Sequence, residues 1–254
     1  MQGEAAPDRT VFRITGADRQ HFLQGLVTND VSSLDGRLVY AALLTPQGKY
    51  LADFFLTSQD DAILLDVKSD LAGDLARRLT MYRLRAKVAI EPSDLTITRG
   101  TGTPPDGALP DPRHPSLGWR AYTGEGGGAG AGETDWEALR VAQCIPETGI
   151  ELIPDETFIL EAGFDRLNGV DFRKGCYVGQ EVTARMRHKT ELRKGLVTVE
   201  ITGQAPVGTE ILADGKPAGT LFTQAGGRAI AHLRFDRAKG PMRAGDATVT
   251  WDDG

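Results

Sequence analysis

The sequence predicts an α+β protein that carries a small β-barrel at its C-terminal end. In roughly the first hundred residues, short strands and amphipathic helices follow one another in a mixed order, not in the strict alternation of a doubly wound sheet. From Gly195 onward the pattern consists of short strands only, with a strong hairpin turn at Asp214 and Gly215. A chain of 254 residues suffices for one large domain or for two to three small ones.

The spacing of apolar residues predicts the strands and helices in the first part of the chain. Strands are predicted at residues 10–15, 37–44, 50–56, 62–67, 87–91 and 95–98. A helix is predicted over residues 18–27, and a second helix begins at Asp70 with Ser69 as its N-cap. The inner face of this second helix carries Leu71, Leu75, Leu79 and Tyr82.

The stretch 100–132 differs from its surroundings, since it holds a block of prolines and a Gly–Ala run at 126–132. We predict an exposed or partly disordered connection with one strand at 119–122. Thr134 then caps a helix that Pro146 ends. Barrel strands are predicted at 196–201, 210–213, 219–223, 229–233 and 248–251. The predicted domains are an α+β body over 1–190 and the barrel over 191–254.

Composition excludes several classes of protein. A net charge of −6 argues against a general nucleic-acid binder, and no apolar run reaches the roughly 20 residues that span a bilayer. The first residues lack the basic and apolar segments of a signal peptide. The two cysteines do not make a disulfide framework. We therefore expect a cytoplasmic monomer with no direct nucleic-acid partner and no membrane partner.

Common catalytic and metal motifs are missing from the sequence. The four histidines and two cysteines share no ligand spacing, so no metal site is predicted for the chain alone. Neither a phosphate-binding glycine motif nor a nucleophile elbow occurs. Cys176 remains available as a redox thiol or as one ligand of a cluster shared with a partner, since a cluster needs about four ligands.

The most informative stretch is the signature loop, residues 174–181. It consists of Lys174, Gly175, Cys176, Tyr177, Val178, Gly179, Gln180 and Glu181. Its two glycines permit positive φ and close approach of backbone. Lys174 and Arg173 would favour the thiolate of Cys176, the nucleophilic and metal-binding form. The alternative is a tight connection around a buried, inert cysteine.

The signature loop, continued to Met186, resembles the K-G-C-Y-x-G-Q-E signature of the YgfZ family. These are folate-binding proteins of iron–sulfur cluster assembly and repair, related in structure to the T-protein, the aminomethyltransferase of the glycine cleavage system. Further similar segments lie at residues 22–30, 45–49, 81–88, 111–115 and 117–120. The resemblance implies two interleaved α+β subdomains of the T-protein-like folate-binding fold plus the barrel, with folate in a central channel. It also implies tetrahydrofolate or a derivative as cofactor, and iron–sulfur client or carrier proteins as partners.

The resemblance also implies roles for single residues. Glu161 would accept hydrogen bonds from the pterin edge, Tyr82 would supply an aromatic wall, and Arg185 would contact the ligand or the signature loop. The alternatives are a surface carboxylate, a core aromatic and a solvated cation. Asp53 stands where aminomethyltransferases carry an aspartate pair beside the alkylated folate nitrogen. Here the pair is Ala52 and Asp53, which favours the YgfZ type.

Three functions stay open from the sequence. In an enzyme-like role, Cys176 and Lys174 act on a one-carbon unit of bound tetrahydrofolate. In a binding role, the signature loop docks on a cluster carrier or client and folate only fixes the domain arrangement. The third function is a true aminomethyltransferase, which the missing carboxylate at Ala52 argues against.

Overall fold

The structure is a computed structural model that describes residues 3–124, 130, 132–188 and 192–252. Contacts divide it into two compact units, one of Met1–Thr134 with Asp165–Val182 and one of Asp135–Phe164 with Thr183–Gly254. The predicted α+β class with a C-terminal barrel is confirmed. In chain order the elements are β1 (Glu4–Ala5), β2 (Arg9–Thr15), α1 (Arg19–Gln24), β3 (Val39–Leu44), β4 (Tyr50–Gln59), β5 (Ala62–Lys68), α2 (Ser69–Arg83), β6 (Ala89–Pro92), β7 (Thr96–Gly100), β8 (Leu109–Pro110), β9 (Trp119–Thr123), α3 (Trp136–Ala142), α4 (Gln180–His188), β10 (Lys194–Thr202), β11 (Glu210–Ala213), β12 (Lys216–Ala225), β13 (Arg228–Arg234), β14 (Met242–Ala244) and β15 (Ala247–Thr250).

The first unit is built around a five-stranded antiparallel sheet of order β3-β4-β5-β2-β6. One face of the sheet joins a single apolar core with α1 and α2, to which Leu23, Phe54 and Leu79 contribute fully buried side chains. Because side chains alternate across a strand, the neighbour of Phe54 on β4 points to the opposite face. That residue is Phe55, and it is also fully buried.

The opposite face of this sheet holds buried charges. Asp66 on β5 accepts hydrogen bonds from Arg9 Nε at 2.6 Å, from Arg120 Nη1 at 3.2 Å and from the Tyr122 hydroxyl at 3.0 Å. Arg120 and Tyr122 lie on β9, which belongs to a second sheet of order β1-β7-β9-β8. A buried carboxylate is tolerated only when it is paired, and Asp66 thereby fixes the second sheet on the first.

The Phe55 ring is surrounded by guanidinium groups. The carbons of Arg120, Arg113 and Arg9 lie 4.1, 4.8 and 5.5 Å from its centroid. Distances below about 6 Å are those of a cation–π interaction. The Phe55 ring therefore lies among three positively charged guanidinium groups, two of which form ion pairs with Asp66.

The barrel of the second unit is closed by six strands in the order β10-β13-β12-β11-β14-β15. Asp214 and Gly215 both have positive φ and join β11 to β12, so the predicted hairpin is confirmed. A barrel of six strands has a narrow interior, and small side chains suit it. Its buried core includes Ala213, Ala218, Ala229, Ala231, Ala244 and Ala247. Strand β14 was not predicted, since three residues are too few to show an alternation.

Two predicted helix caps are wrong. Ser69 is the first residue of α2, not its cap, and its hydroxyl pairs with that of Thr10 at 2.9 Å. Helix α3 is capped by Asp135, whose carboxylate accepts from the Ala138 N–H at 2.8 Å, and not by Thr134. The N-cap of α2 is Lys68, the last residue of β5, and the N-cap of α3 is Asp135. Each helix therefore begins one residue away from its predicted start. Helix α3 also ends at Ala142, before Pro146 is reached.

The stretch after Gly100 is more ordered than its composition predicts. Strand β9 confirms the predicted strand, and it pairs with β7 and β8 so that Trp119 and Arg120 are buried. Paired backbone and buried ion pairs outweigh the high proline content here. The predicted Gly–Ala run lies partly outside the described residues, at 126–129 and 131. No helix in the described part of the chain is long and apolar enough to cross a membrane.

Asp111 makes the first unit sensitive to acid. It accepts from Arg113 Nη2 at 2.8 Å and from Arg120 Nε at 3.2 Å. Burial alone would raise the pKa of Asp111, but the charges and hydrogen bonds of Arg113, with the charge of Arg120, lower it to about 2. A carboxyl whose folded-state pKa lies below its ordinary value of 3.8 stabilises the fold above about pH 4, and this stability is lost as the pH falls towards 2.

We expect Asp111→Asn to lower the free energy of unfolding at pH 7 by about 2 kcal/mol or more, since a shift of one pKa unit corresponds to about 1.4 kcal/mol. Urea titrations at pH 7, 5, 4 and 3 should show a smaller loss on acidification for the variant than for the wild type. Asp106→Asn, at an exposed turn residue, is the control and should keep the wild-type pH profile. Equal acid sensitivity of Asp111→Asn and wild type would contradict this assignment.

Candidate functional site

The signature loop is held in place by the ammonium group of Lys174. Its Nζ donates to the main-chain oxygens of Gln24 at 2.9 Å, Val27 at 2.6 Å and Asn29 at 2.9 Å. An ammonium has three donors, and all three are used. Lys174 therefore ties the signature loop to the segment that leaves α1.

The position of these oxygens follows from the short helix α1. The last carbonyls of a helix have no partner within the helix and carry partial negative charge, which favours a cation. Gln24 is the last residue of α1, and Val27 and Asn29 continue the turn that follows. Burial of the ammonium lowers the pKa of Lys174 to about 8, against the opposing effect of the Asp30 and Asp171 charges.

A second set of hydrogen bonds joins the same segments. Thr28 Oγ1 accepts from the Ala42 N–H at 2.8 Å and donates to the Gly169 oxygen at 2.7 Å. Asn29 Nδ2 donates to the oxygens of Tyr40 at 2.8 Å and Asn168 at 2.7 Å. The chain entering the signature loop is thus fixed to β3 as well as to α1. Neither Thr28 nor Asn29 was predicted as a site residue.

The exit of the signature loop depends on close backbone contact. Gly179 has a φ of +82°, and a Cβ there would lie 2.5 Å from the Thr45 oxygen. Gly48, in the turn between β3 and β4, also has positive φ, and a Cβ there would lie 3.2 Å from the Gly179 oxygen and 2.8 Å from Val182 Cβ. The expected role of the glycines is confirmed at Gly179 but is wrong for Gly175, which lacks a positive φ and has open space around its Cα. Gln180 and Glu181 then begin α4.

Cys176 is exposed in this fixed loop, whereas the other cysteine, Cys144, is buried. The neighbouring Tyr177 is buried, and its ring centroid lies 5.3 Å from Lys174 Nζ. The predicted alternative of a buried and inert Cys176 is therefore wrong. No group of three or more His, Cys, Asp or Glu side chains in the described residues is arranged to hold a metal ion.

Asp53 lies in the first unit, on the face of the large sheet that carries Phe55. Its Oδ1 accepts from the Tyr50 hydroxyl at 2.7 Å and its Oδ2 from the Tyr40 hydroxyl at 3.0 Å. Burial and the charge of Asp53 raise the pKa of Tyr40 well above its ordinary value. Both carboxylate oxygens are engaged and the residue is buried. A folate nitrogen would have to share an oxygen that already accepts from a tyrosine, and the predicted folate contact of Asp53 stays a prediction.

Glu161 lies in the second unit and lines a cavity of about 180 Å³. Its Oε2 lies 3.3 Å from both Lys194 Nζ and His232 Nε2. Burial would raise the pKa of Glu161, but the hydrogen bond from His232 and the Lys194 charge lower it, so the carboxylate is ionised at neutral pH. The cavity is also lined by Glu151, Ile153, Glu156, Thr157, Ala162, Leu196, Thr220 and Phe222. Lys194 and His232 were not predicted, because only the barrel fold brings them to Glu161.

The remaining predicted contacts, Tyr82 and Arg185, both have solvent access. Tyr82 is 37% exposed at the end of α2, so its predicted place on the inner face of this helix is wrong. Arg185 is exposed on α4.

The residues of the second unit fit the ring of a pterin at Glu161, since Oε1 accepts no hydrogen bond from the described residues and the cavity is ring-sized. This volume is below the roughly 300–1,000 Å³ that is common for pockets that enclose whole ligands.

Comparison with known proteins identifies the family. The mouse mitochondrial iron–sulfur cluster assembly factor IBA57 is 32% identical, over 92% of this chain and 78% of its own length. The chain belongs to the IBA57 family. The human IBA57 protein is 31% identical over the same shares of both chains, and a homologue from Mycosarcoma maydis is 34% identical over 75% of this chain and 55% of its own.

The fold of this IBA57-family chain has relatives as well. Residues 193–253 match the CAF17 C-terminal beta-barrel domain. The crystal structure of the glycine cleavage system aminomethyltransferase T from Bartonella henselae superposes with a TM-score of 0.77. The superposition covers 96% of this chain and 82% of the Bartonella henselae chain, and the two sequences are 13% identical. The predicted T-protein-like fold is confirmed, and the YgfZ proteins are bacterial relatives of the same family.

The expected cytoplasmic location is contradicted by the IBA57 relatives. The mouse, human and fungal proteins are all mitochondrial. The expectation rested on the lack of a disulfide framework and of a signal peptide. A chain without a disulfide framework is compatible with any reducing compartment, so this observation does not separate the cytoplasm from an organelle.

We expect Lys174→Met to lower the free energy of unfolding by about 3 kcal/mol, since it leaves three carbonyl oxygens without their charged donor. Hydrogen exchange should rise in residues 24–31 and 168–181. Arg173→Met is the matched control, because the Arg173 side chain is 95% exposed and should be replaceable without effect. Urea unfolding of both variants measures the difference, and equal stabilities would show that Lys174 does not hold the loop.

Proposed function

We propose that this chain assembles iron–sulfur clusters together with a partner protein, and that the Cys176 thiolate is one ligand of a cluster held between them. The observation that carries this proposal is the exposed thiol of Cys176. It lies two residues from Lys174, whose ammonium group makes three hydrogen bonds that hold the loop. A cluster ligand must be reachable and must keep its position, and the signature loop meets both needs.

The shared cluster follows from the number of ligands. A cluster commonly takes four thiolates or equivalent groups. This chain has two cysteines, of which Cys144 is buried, and its described residues form no metal-binding group. The missing ligands therefore come from the partner, which is an iron–sulfur carrier or client protein. Lys174 positions the loop and places a positive charge two residues from the thiolate that forms.

Reduced folate is the second proposal, and Glu161 is the observation that favours it. The Glu161 carboxylate keeps one oxygen open to a cavity of the size of a pterin ring, and its pKa is lowered so that it stays an acceptor. A carboxylate accepts well from the N–H edge of a pterin. Glu161 would hold the ring, while Lys194 and His232 fix the carboxylate from the other side. Bound folate would supply a one-carbon carrier.

We expect Cys176→Ser to abolish cluster sharing without loss of folding. The experiment mixes the chain, free of metal, with a purified iron–sulfur carrier protein that holds a [2Fe–2S] cluster, and follows visible circular dichroism. Wild type should change the spectrum at one equivalent, whereas the Cys176→Ser variant should leave the carrier's spectrum unaltered. Cys144→Ser is the control and should behave as wild type. A Cys176→Ser variant that changes the spectrum as wild type does would exclude this residue as a ligand.

We expect Glu161→Gln to weaken binding of tetrahydrofolate and 5-formyltetrahydrofolate about tenfold or more, since a hydrogen bond to a charged acceptor is worth about 1.5–3 kcal/mol. Isothermal titration measures both ligands. Glu156→Gln changes another carboxylate of the same cavity and should have a much smaller effect. Binding that is absent from wild type, or unaltered in Glu161→Gln, would remove folate from this site.

A further inference from the structure

The end of α2 exposes large apolar side chains in a short stretch. Leu84 is 88% exposed, Met81 69% and Tyr82 37%. Single exposed apolar residues are ordinary, but three within four residues form a patch, and contiguous patches mark interaction sites. We call residues 81–87 the α2 corner.

The backbone of the α2 corner holds Leu84 in a strained conformation. Leu84 has φ +44° and ψ −103°, in a region that a branched or bulky side chain rarely adopts. At the end of a helix this place is commonly taken by glycine. A leucine here gains nothing from burial, so neither the helix nor the core explains it. Strained exposed residues of this kind are found where a side chain is presented to a ligand.

The charges of the α2 corner have the sign opposite to that of the whole chain. Arg83, Arg85 and Lys87 are exposed, in a protein of net charge −6. Within the part of the chain that the structure describes, the Arg85 guanidinium and the Lys87 ammonium have neither an ion pair nor a hydrogen bond. Arg83 has one bond, to the Val88 oxygen at 3.3 Å. The nearest carboxylate on α2, Asp74, is already paired with Arg77 and Arg78.

The α2 corner lies close to the signature loop through α1. The Lys87 N–H donates to Asp18 Oδ2 at 2.7 Å, directly before α1, while Lys174 bonds the Gln24 oxygen where α1 ends. Helix α1 has six residues, so its two ends are about 9 Å apart at a rise of about 1.5 Å per residue. A protein interface is commonly about 800 Å² on each partner, and a surface of that size reaches both places.

We propose that the α2 corner is the docking surface for the protein that shares the cluster with Cys176, and that this partner offers a hydrophobic pocket for Leu84 within an acidic rim. The inference rests on the proposed function, because it names the partner surface of that site. Apolar anchors in pockets and charged rims are the usual parts of such interfaces. The three unneutralised cations of the α2 corner determine the sign of the partner's rim.

A bilayer and a second copy of this chain fit the α2 corner less well. Membrane-surface segments that recognise anionic lipids commonly carry about four to eight cations, and the corner has three. A fluid bilayer also accepts an apolar side chain in any backbone conformation, so the strain at Leu84 would serve no purpose there. In a symmetric dimer built on the α2 corner, the cations of the two copies would face each other and repel.

The test measures affinity for a purified, acidic iron–sulfur carrier protein by isothermal titration, with and without its [2Fe–2S] cluster. Leu84→Gly should weaken binding roughly tenfold or more, while the midpoint of thermal unfolding stays the same or rises because glycine relieves the strained φ. Arg83→Glu with Arg85→Glu should also weaken binding and flatten its salt dependence. Val207→Gly and Arg228→Glu, at exposed positions of the barrel unit, are the matched controls and should bind as wild type.

The outcomes separate this inference from the proposed function. Cys176→Ser should dock as wild type yet leave the cluster spectrum unaltered. If wild type takes part of the cluster and Leu84→Gly keeps full affinity, the docking surface is wrong and the shared cluster stands. If docking depends on Leu84 but no cluster reaches Cys176, the proposed function fails and the surface stands. The inference is overturned if wild type does not bind the carrier, or if Leu84 instead governs binding to anionic vesicles or self-association measured by light scattering.

Discussion

The three hydrogen bonds of the Lys174 ammonium are the constraint on which the signature loop depends. They couple residue 174 to carbonyls around residues 24–29, so two segments far apart in sequence fold as one piece. A buried ammonium is unfavourable unless its donors are satisfied, and here the unpaired end of α1 supplies the acceptors. The thiol two residues away can therefore be exposed without being mobile, because the lysine and the glycine contact at Gly179 fix the loop on both sides.

A second buried electrostatic system supports the sheet behind this loop. Asp66 and Asp111 form ion pairs with three arginines around the Phe55 ring. Asn29, whose main-chain oxygen accepts from Lys174, also donates to the Tyr40 oxygen on β3. The loop thus rests on strands whose polar face holds these paired charges. Buried charges of this kind add little net stability compared with apolar packing, but they allow few alternative arrangements.

The sequence was sufficient for most of the strands, whose alternation is local, but it left open whether Cys176 is exposed or buried. It was insufficient where the partner of a residue is distant. The acceptors of Lys174, the pairing of Asp53 with two tyrosines and the contacts of Glu161 with Lys194 and His232 arise from tertiary structure, which no local pattern encodes. Ser69 and Thr134 show the same limit at helix starts, where a neighbouring residue competes for the cap.

The unequal exposure of the two cysteines has a practical consequence. Cys144 is buried, so a maleimide or a thiol-reactive nitroxide reagent applied to the native chain meets one accessible thiol, that of Cys176 in the signature loop. A spectroscopic label can thus be attached without engineering a cysteine-free background. Because the adjoining backbone is fixed by Lys174, the motion of such a label relative to the protein arises in its own linker, which makes distances measured from it easier to interpret.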